Sequence, residues 1–284
     1  MKKIGAMKKV VAFMLSAMLM VCLGACGSSS SDGSASADKE VQTLNKVLKN
    51  GKLTVVLNIG NAPWTYKDDS TGEYTGMAVE LIQGYCDQLG VECSIEPLEF
   101  SSLISSVNSG KADIICTNLS RTVERSTNVM FSDPVGIDYG VVICKKGAFS
   151  SLDEVNQEGV TLTTETGSSF EGVVADVFPN ATMSAVDTTP NALAAVNAGR
   201  ADGMVTNLAI AKELVAANEG LEIMEDYCYT DVMAFAVDNT YLNTTLLGSF
   251  NSYLRNIKSN GTYGEIYEKY IGTKWEPTYT DSAV

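Results

Sequence analysis

The 284-residue chain contains no histidine. That excludes Ser-His-Asp and Cys-His catalytic arrangements and most catalytic zinc sites, which depend on an imidazole. Positive charge is also scarce: 20 lysines and arginines face 34 acidic residues, and four of the basic residues are arginines, Arg121, Arg125, Arg200 and Arg255. So anionic a chain has nothing to offset phosphate repulsion, which excludes nucleic acid as a partner. None of the seven cysteines forms a Cys-x-x-Cys pair. No metal site, redox site or cofactor is therefore expected. The longest apolar run, residues 10–23, is too short for a comfortable membrane span.

That run instead follows Lys2, Lys3, Lys8 and Lys9, the order of a targeting leader covering residues 1–25. It closes in Leu23-Gly24-Ala25-Cys26, which resembles a bacterial lipobox, in which the cysteine is lipidated and becomes the mature N-terminus. Downstream, GSSSSDGSASADKE is polar and small, so residues 26–50 read as a flexible tether. Without the four leader lysines, 16 basic residues oppose 34 acidic ones, a mature net charge of −18. The expected product is extracytoplasmic, anchored by lipid at Cys26 to the outer face of the cell membrane.

With 45% hydrophobic residues the remaining chain can bury a sizeable core. LTVVLNI, MAVELIQGYCDQLG, VECSIEPL, SSLISSVNSG and ADIICTNL alternate strand-like with helix-like character, indicating parallel α/β architecture. VNSGKADIICTNLS recurs as VNAGRADGMVTNLA, 8 of 14 positions being identical. Each copy reads as a helix, a glycine turn and a strand whose carboxyl end carries Thr-Asn-Leu; Thr189 is the expected cap of the second helix, before Pro190. Ligands bind outside the carboxyl ends of such strands, so two similar sheets would each present one asparagine, Asn118 and Asn207, to a shared ligand. Cys86 and Cys93 bracket a helix end, a turn and a strand start; a bridge and a pair of thiols are both open readings.

Three ordered motifs then carry a family resemblance over residues 52–273. APWTYKDDSTGEYTGMAVEL, NLSRTVERSTNVMFSDP and NGTYGEIYEKYIG resemble the corresponding stretches of bacterial extracellular solute-binding proteins, family 3, the polar amino-acid receptors of ABC importers. The resemblance implies a type II periplasmic-binding-protein fold: two α/β lobes, each with a central, mostly parallel sheet, joined by two hinge strands. The corresponding lobes are residues 51–143 with 237–273, and 144–236; residues 274–284 form a tail. It further implies that Arg125 holds a ligand α-carboxylate, helped by hydrogen bonds from Ser120 and Asn118 and by Ser168 at a helix N-terminus of the second lobe. Trp64 and Phe100 would pack around the ligand side chain, with Asn58 and Asn61 nearby. The Cys86 to Cys93 spacing resembles a disulfide of the basic-amino-acid branch.

Several positions depart from the pattern. Asn207 stands where the family usually has an aspartate for the ligand ammonium, and Val135-Gly136 replaces a Tyr-Tyr. With no carboxylate evident near the side-chain subsite, a neutral polar or acidic amino acid is the expected ligand. The whole describes a monomeric, non-catalytic receptor that delivers a small amino acid to an ABC permease. A cyclohexadienyl dehydratase-like enzyme and a ligand sensor are the alternatives on this fold; the former needs a general acid in the cleft.

Overall fold

The computed structural model describes residues 41–277. The leader, Cys26, most of the tether and the end of the tail lie outside the described residues. The tether reading ends earlier than expected. Thr43–Asn50 is a helix, α1, that seats Val47 in the core and stops at Gly51 in the left-handed region. Periodic Leu44, Val47 and Leu48 give this stretch an apolar stripe that the polar segment before it lacks.

Apart from a small pair, β2 (Tyr66–Lys67) and β3 (Tyr74–Thr75), the first sheet is built from β1 (Lys52–Leu57), β4 (Glu92–Pro97), β5 (Ile114–Ile115), β6 (Val129–Phe131) and β13 (Ala236–Asp238), in the order β4-β1-β5-β13-β6. β1 runs parallel to β4 and β5, and β13 runs antiparallel to β5 and β6. β1 buries Leu53 and the run Val55, Val56, Leu57 because helices cover both faces of the sheet. One face packs α2 (Met77–Leu89), with Leu81, Ile82 and Tyr85 meeting Phe250 and Leu254 of the C-terminal α9 (Thr244–Asn260) and Ile266 of α10 (Thr262–Ile271). On the other face Leu103 and Val107 of α3 (Leu103–Asn108) meet Val56 and Ile115. Trp275, expected in a loose tail, packs edge-on against Tyr263 of α10.

The second sheet comprises β7 (Gly136–Lys145), β8 (Thr161–Glu165), β9 (Thr182–Val186), β10 (Gly203–Asn207), β11 (Leu221–Ile223) and β12 (Tyr229–Met233). Its order is β11-β7-β10-β8-β9, with β12 also on β7. β8 is parallel to β9 and β10, flanked by α5 (Leu152–Val155), α6 (Phe170–Val177), α7 (Thr189–Asn197) and α8 (Leu208–Ala216). The chain crosses between sheets at 131–136 and returns at 233–236, so the first lobe boundary falls before β7 and not at 143/144.

The two copies of the repeated phrase are α3 with β5 and α7 with β10, each turning through a left-handed glycine, Gly110 at φ 71° and Gly199 at φ 69°. The second helix begins one residue earlier than expected: Thr188 is its cap, its Oγ1 accepting from Asn191 N at 3.3 Å. The Thr189 hydroxyl is committed elsewhere, to Glu165. Cys86 on α2 and Cys93 on β4 are free thiols in this structure, close enough that each shifts the ionisation of the other.

Candidate functional site

Four polar residues occupy corresponding places at the carboxyl ends of parallel strands. Asn58 follows β1, Asn118 follows β5, Glu165 ends β8 and Asn207 ends β10. All four are nearly inaccessible and face one another across the gap between sheets. The two asparagines of the repeat touch: Asn118 Nδ2 donates to Asn207 Oδ1 at 3.1 Å.

Arg125 lies in α4 (Val123–Ser126), whose cap Thr122 accepts from the Arg125 backbone N at 3.2 Å. Its guanidinium is buried, with Nη1 donating to Ser120 O at 2.9 Å and Nη2 crossing to Gly167 O of the second lobe at 2.8 Å. The Phe100 ring lies beneath it, 5.5 Å from Cζ to centroid, a cation–π contact that excludes water from one side of the charge. Burial pulls the guanidinium below its ordinary value and Asp231 opposes the shift. Arg121, by contrast, is exposed.

The serine that spans the gap is Ser169, not Ser168. Ser169 Oγ meets Ser120 Oγ at 2.7 Å, whereas Ser168 Oγ turns back to Thr164 Oγ1 at 3.1 Å. Helix α6 starts at Phe170 with Ser169 at its cap, one residue later than Ser168 would require. Trp64 is also displaced from its expected place. It is buried in the core of the first lobe, among the side chains around Val135 and Met233. That position explains the departure at Gly136, where an added Cβ would fall 2.6 Å from the Trp64 ring.

Two carboxylates escaped the sequence reading. Glu165 is 6% exposed and receives amide hydrogens from Asn58 and Asn61 and the Thr189 hydroxyl, all at 3.4 Å. These contacts are long, and burial dominates over them, pushing the carboxyl up to about 7. The cleft therefore does hold an acidic group near Asn58, contrary to the expectation that none was placed there. Asp231, on β12, is fully buried; its Oδ2 accepts from Asn207 Nδ2 at 2.9 Å and from Ser120 Oγ at 3.0 Å. Burial raises its pKa, while Asn207, Ser120 and Arg125 counter the rise. The strand-end rule that picked out Asn118 and Asn207 also points to Glu165. Asp231 sits on an antiparallel hinge strand and carries no such signal.

Phe100, Asn118, Ser120, Glu165, Thr189 and Asn207 line a cleft of about 20 Å³, and with Asn118–Asn207, Ser120–Ser169 and Arg125–Gly167 bonded across it the lobes lie closed, so a ligand must part them to enter. Adjoining it through Ser168 and Ser169 is an open recess of about 500 Å³ bordered by Arg125, Glu124, Glu171 and Asp176.

Comparison with known proteins agrees with this architecture. The chain is 26% identical over 269 residues to the ABC transporter glutamine-binding protein GlnH of Bacillus subtilis (strain 168), covering 93% of this chain and 98% of that protein. Against the ABC transporter arginine-binding protein 1 of Escherichia coli (strain K12) the identity is 27% over 206 residues, 71% of this chain and 84% of the relative. The crystal structure of the ancestral amino acid-binding protein AncCDT-1, a precursor of cyclohexadienyl dehydratase, superposes with a TM-score of 0.75 at 28% identity, over 81% of this chain and 99% of that one. The sequence pattern of one family matches residues 53–273. With the two lobes and the strand-end cleft already in view, that match shows that the chain belongs to the bacterial extracellular solute-binding proteins, family 3.

Proposed function

We propose that the protein is an extracytoplasmic receptor for an α-amino acid whose side chain donates hydrogen bonds, cationic or amide, delivered to an ABC import permease. The observation that carries this reading is the polarity of the closed cleft. A buried guanidinium, Arg125, occupies one group of contacts and a buried carboxyl, Glu165, the other, and the two share no hydrogen-bond partner among the described residues. A zwitterion matches that order: its carboxylate pairs with the Arg125 fork, competing with the Gly167 carbonyl, and its ammonium meets the Asn207 and Ser120 oxygens. The side chain then reaches Glu165. Above about pH 7, where Glu165 is ionised, an acidic side chain is disfavoured there by like charge, so the reading drops the acidic ligands expected from the sequence and admits the cationic ones that expectation set aside. The glutamine- and arginine-binding relatives accord with both donor types.

Ligand binding selects the closed arrangement by bridging lobes that already meet at Asn118–Asn207 and Ser120–Ser169. The leader and the lipobox-like Leu23-Gly24-Ala25-Cys26 support lipid anchoring at the outer face of the membrane. Calorimetric titration with L-arginine, L-glutamine and L-glutamate tests the reading: one of the first two binds stoichiometrically and L-glutamate binds at least about tenfold more weakly, a gap of about 1.4 kcal/mol. Preferential binding of L-glutamate would overturn it.

Glu165 also gives the dehydratase alternative the acid it needed, since a carboxyl held up to about 7 is suited to protonating a leaving hydroxyl. Incubation with prephenate and arogenate separates the two readings: turnover supports the enzyme, and recovery of intact compound supports the receptor.

A further inference from the structure

Resting on the amino-acid reading above, we propose that Asp231 is the positioning residue that makes the ligand-ammonium subsite, holding Asn207 and Ser120 as hydrogen-bond acceptors and supplying the negative charge that Asn207 lacks. An ionised carboxylate only accepts hydrogen bonds. Asp231 Oδ2 therefore fixes the Asn207 amide with its NH2 turned inward, at 2.9 Å, and its oxygen turned toward Asn118 and the cleft. The same oxygen takes the Ser120 hydroxyl hydrogen at 3.0 Å, leaving the Ser120 lone pairs to accept. Ser169 Oγ, 2.7 Å away, is oriented to donate to one of them.

Both residues line the cleft, so one carboxylate behind the wall converts two ambivalent groups into acceptors facing one space. An ammonium has three donors and no acceptor, and that is the group such a wall fits. Asp231 is fully buried and its Oδ1 has no partner among the described residues. Its charge is balanced by Arg125 on the other side of Ser120, which donates to the Ser120 carbonyl. The cross-strand partner of Asp231 is Asp138, which is occupied by the backbone N–H groups of Tyr139 and Ala209 and offers the cleft nothing.

A purely structural role, such as neutralising Arg125, would change the affinity of every carboxylate ligand alike. The relay changes only ligands that carry the ammonium. Two matched pairs separate these cases: L-arginine against 5-guanidinopentanoate, and L-glutamine against 4-carbamoylbutanoate, each titrated into the full-length wild type and Asp231→Asn. The expected result is a loss of at least about tenfold in amino-acid affinity, with the des-amino partner changed less than about threefold. Moving the charge, in Asn207→Asp/Asp231→Asn, should restore the preference. Asp231→Leu replaces the single variant if thermal unfolding shows that Asp231→Asn does not fold, because apolar replacement of a buried charge is often tolerated. Equal losses for both members of a pair, or no loss, overturn the proposal. A wild type that binds none of the four compounds refutes the amino-acid reading instead.

Discussion

Glu165 is where a single ionisation decides both stability and binding. Its carboxyl is raised from 4.5 to about 7 by burial, so the charged form is the costly one in the fold. Because the folded value lies above the unfolded one, the stability this group contributes is complete below about pH 4.5 and is lost as pH rises through about 7, a change of roughly 3 kcal/mol. Asp138, raised to about 6, acts in the same direction. Denaturant midpoints should fall between pH 5 and pH 8, and Glu165→Gln should flatten part of that slope. A cationic ligand has the opposite dependence, because it pairs with the ionised form: L-arginine should bind more tightly at pH 8 than at pH 6, and Glu165→Gln should abolish the difference. At the other group of contacts, Arg125→Ala removes the carboxylate fork and should weaken amino-acid binding by at least about 100-fold in calorimetry, about 3 kcal/mol, within the range for truncating a buried, hydrogen-bonded charge.

Secondary-structure elements show most clearly what was legible in the sequence. The repeated phrase predicted helix, glycine turn, strand and a terminal asparagine twice over, and the strand-end rule brought the two asparagines into one cleft, because parallel-strand geometry is local and periodic. Ser168 and Ser169 could not be separated in that way, since both suit the first turn of a helix and only the final dihedral angles choose between them. Asp231 was hidden for a different reason: an antiparallel hinge strand has no preferred functional end, and its partners are 24 and 111 residues away. The turn between β8 and α6 is an exacting element of the closed state. Gly167 adopts φ 81°, its carbonyl accepts from Arg125, and a Cβ there would lie 3.1 Å from Ser101 Cα of the first lobe. Gly167→Ala should therefore weaken ligand binding by about tenfold through strain of about 1–2 kcal/mol, measured by titration. Unchanged affinity would show that closure does not bring Gly167 against Ser101.

At the scale of the whole molecule, two short crossings at 131–136 and 233–236 are all that join the sheets along the chain, an arrangement suited to hinge closure over the cleft. The acidic balance of the chain and the acidic border of the outer recess favour approach of a cation. Stopped-flow association of L-arginine should slow as salt rises from about 0.01 to 0.15 M, because the Debye length shortens from about 30 to 8 Å. The central claim is that Glu165 reads the ligand side chain, and the most direct measurement is calorimetric titration of L-arginine, L-glutamine and L-glutamate into the wild type and Glu165→Gln at pH 8. A hydrogen-bond-donating ligand bound tightly by the wild type, L-glutamate excluded, and that preference relaxed in Glu165→Gln is the predicted result. Tight binding of L-glutamate by the wild type, or a preference indifferent to Glu165→Gln, would contradict it.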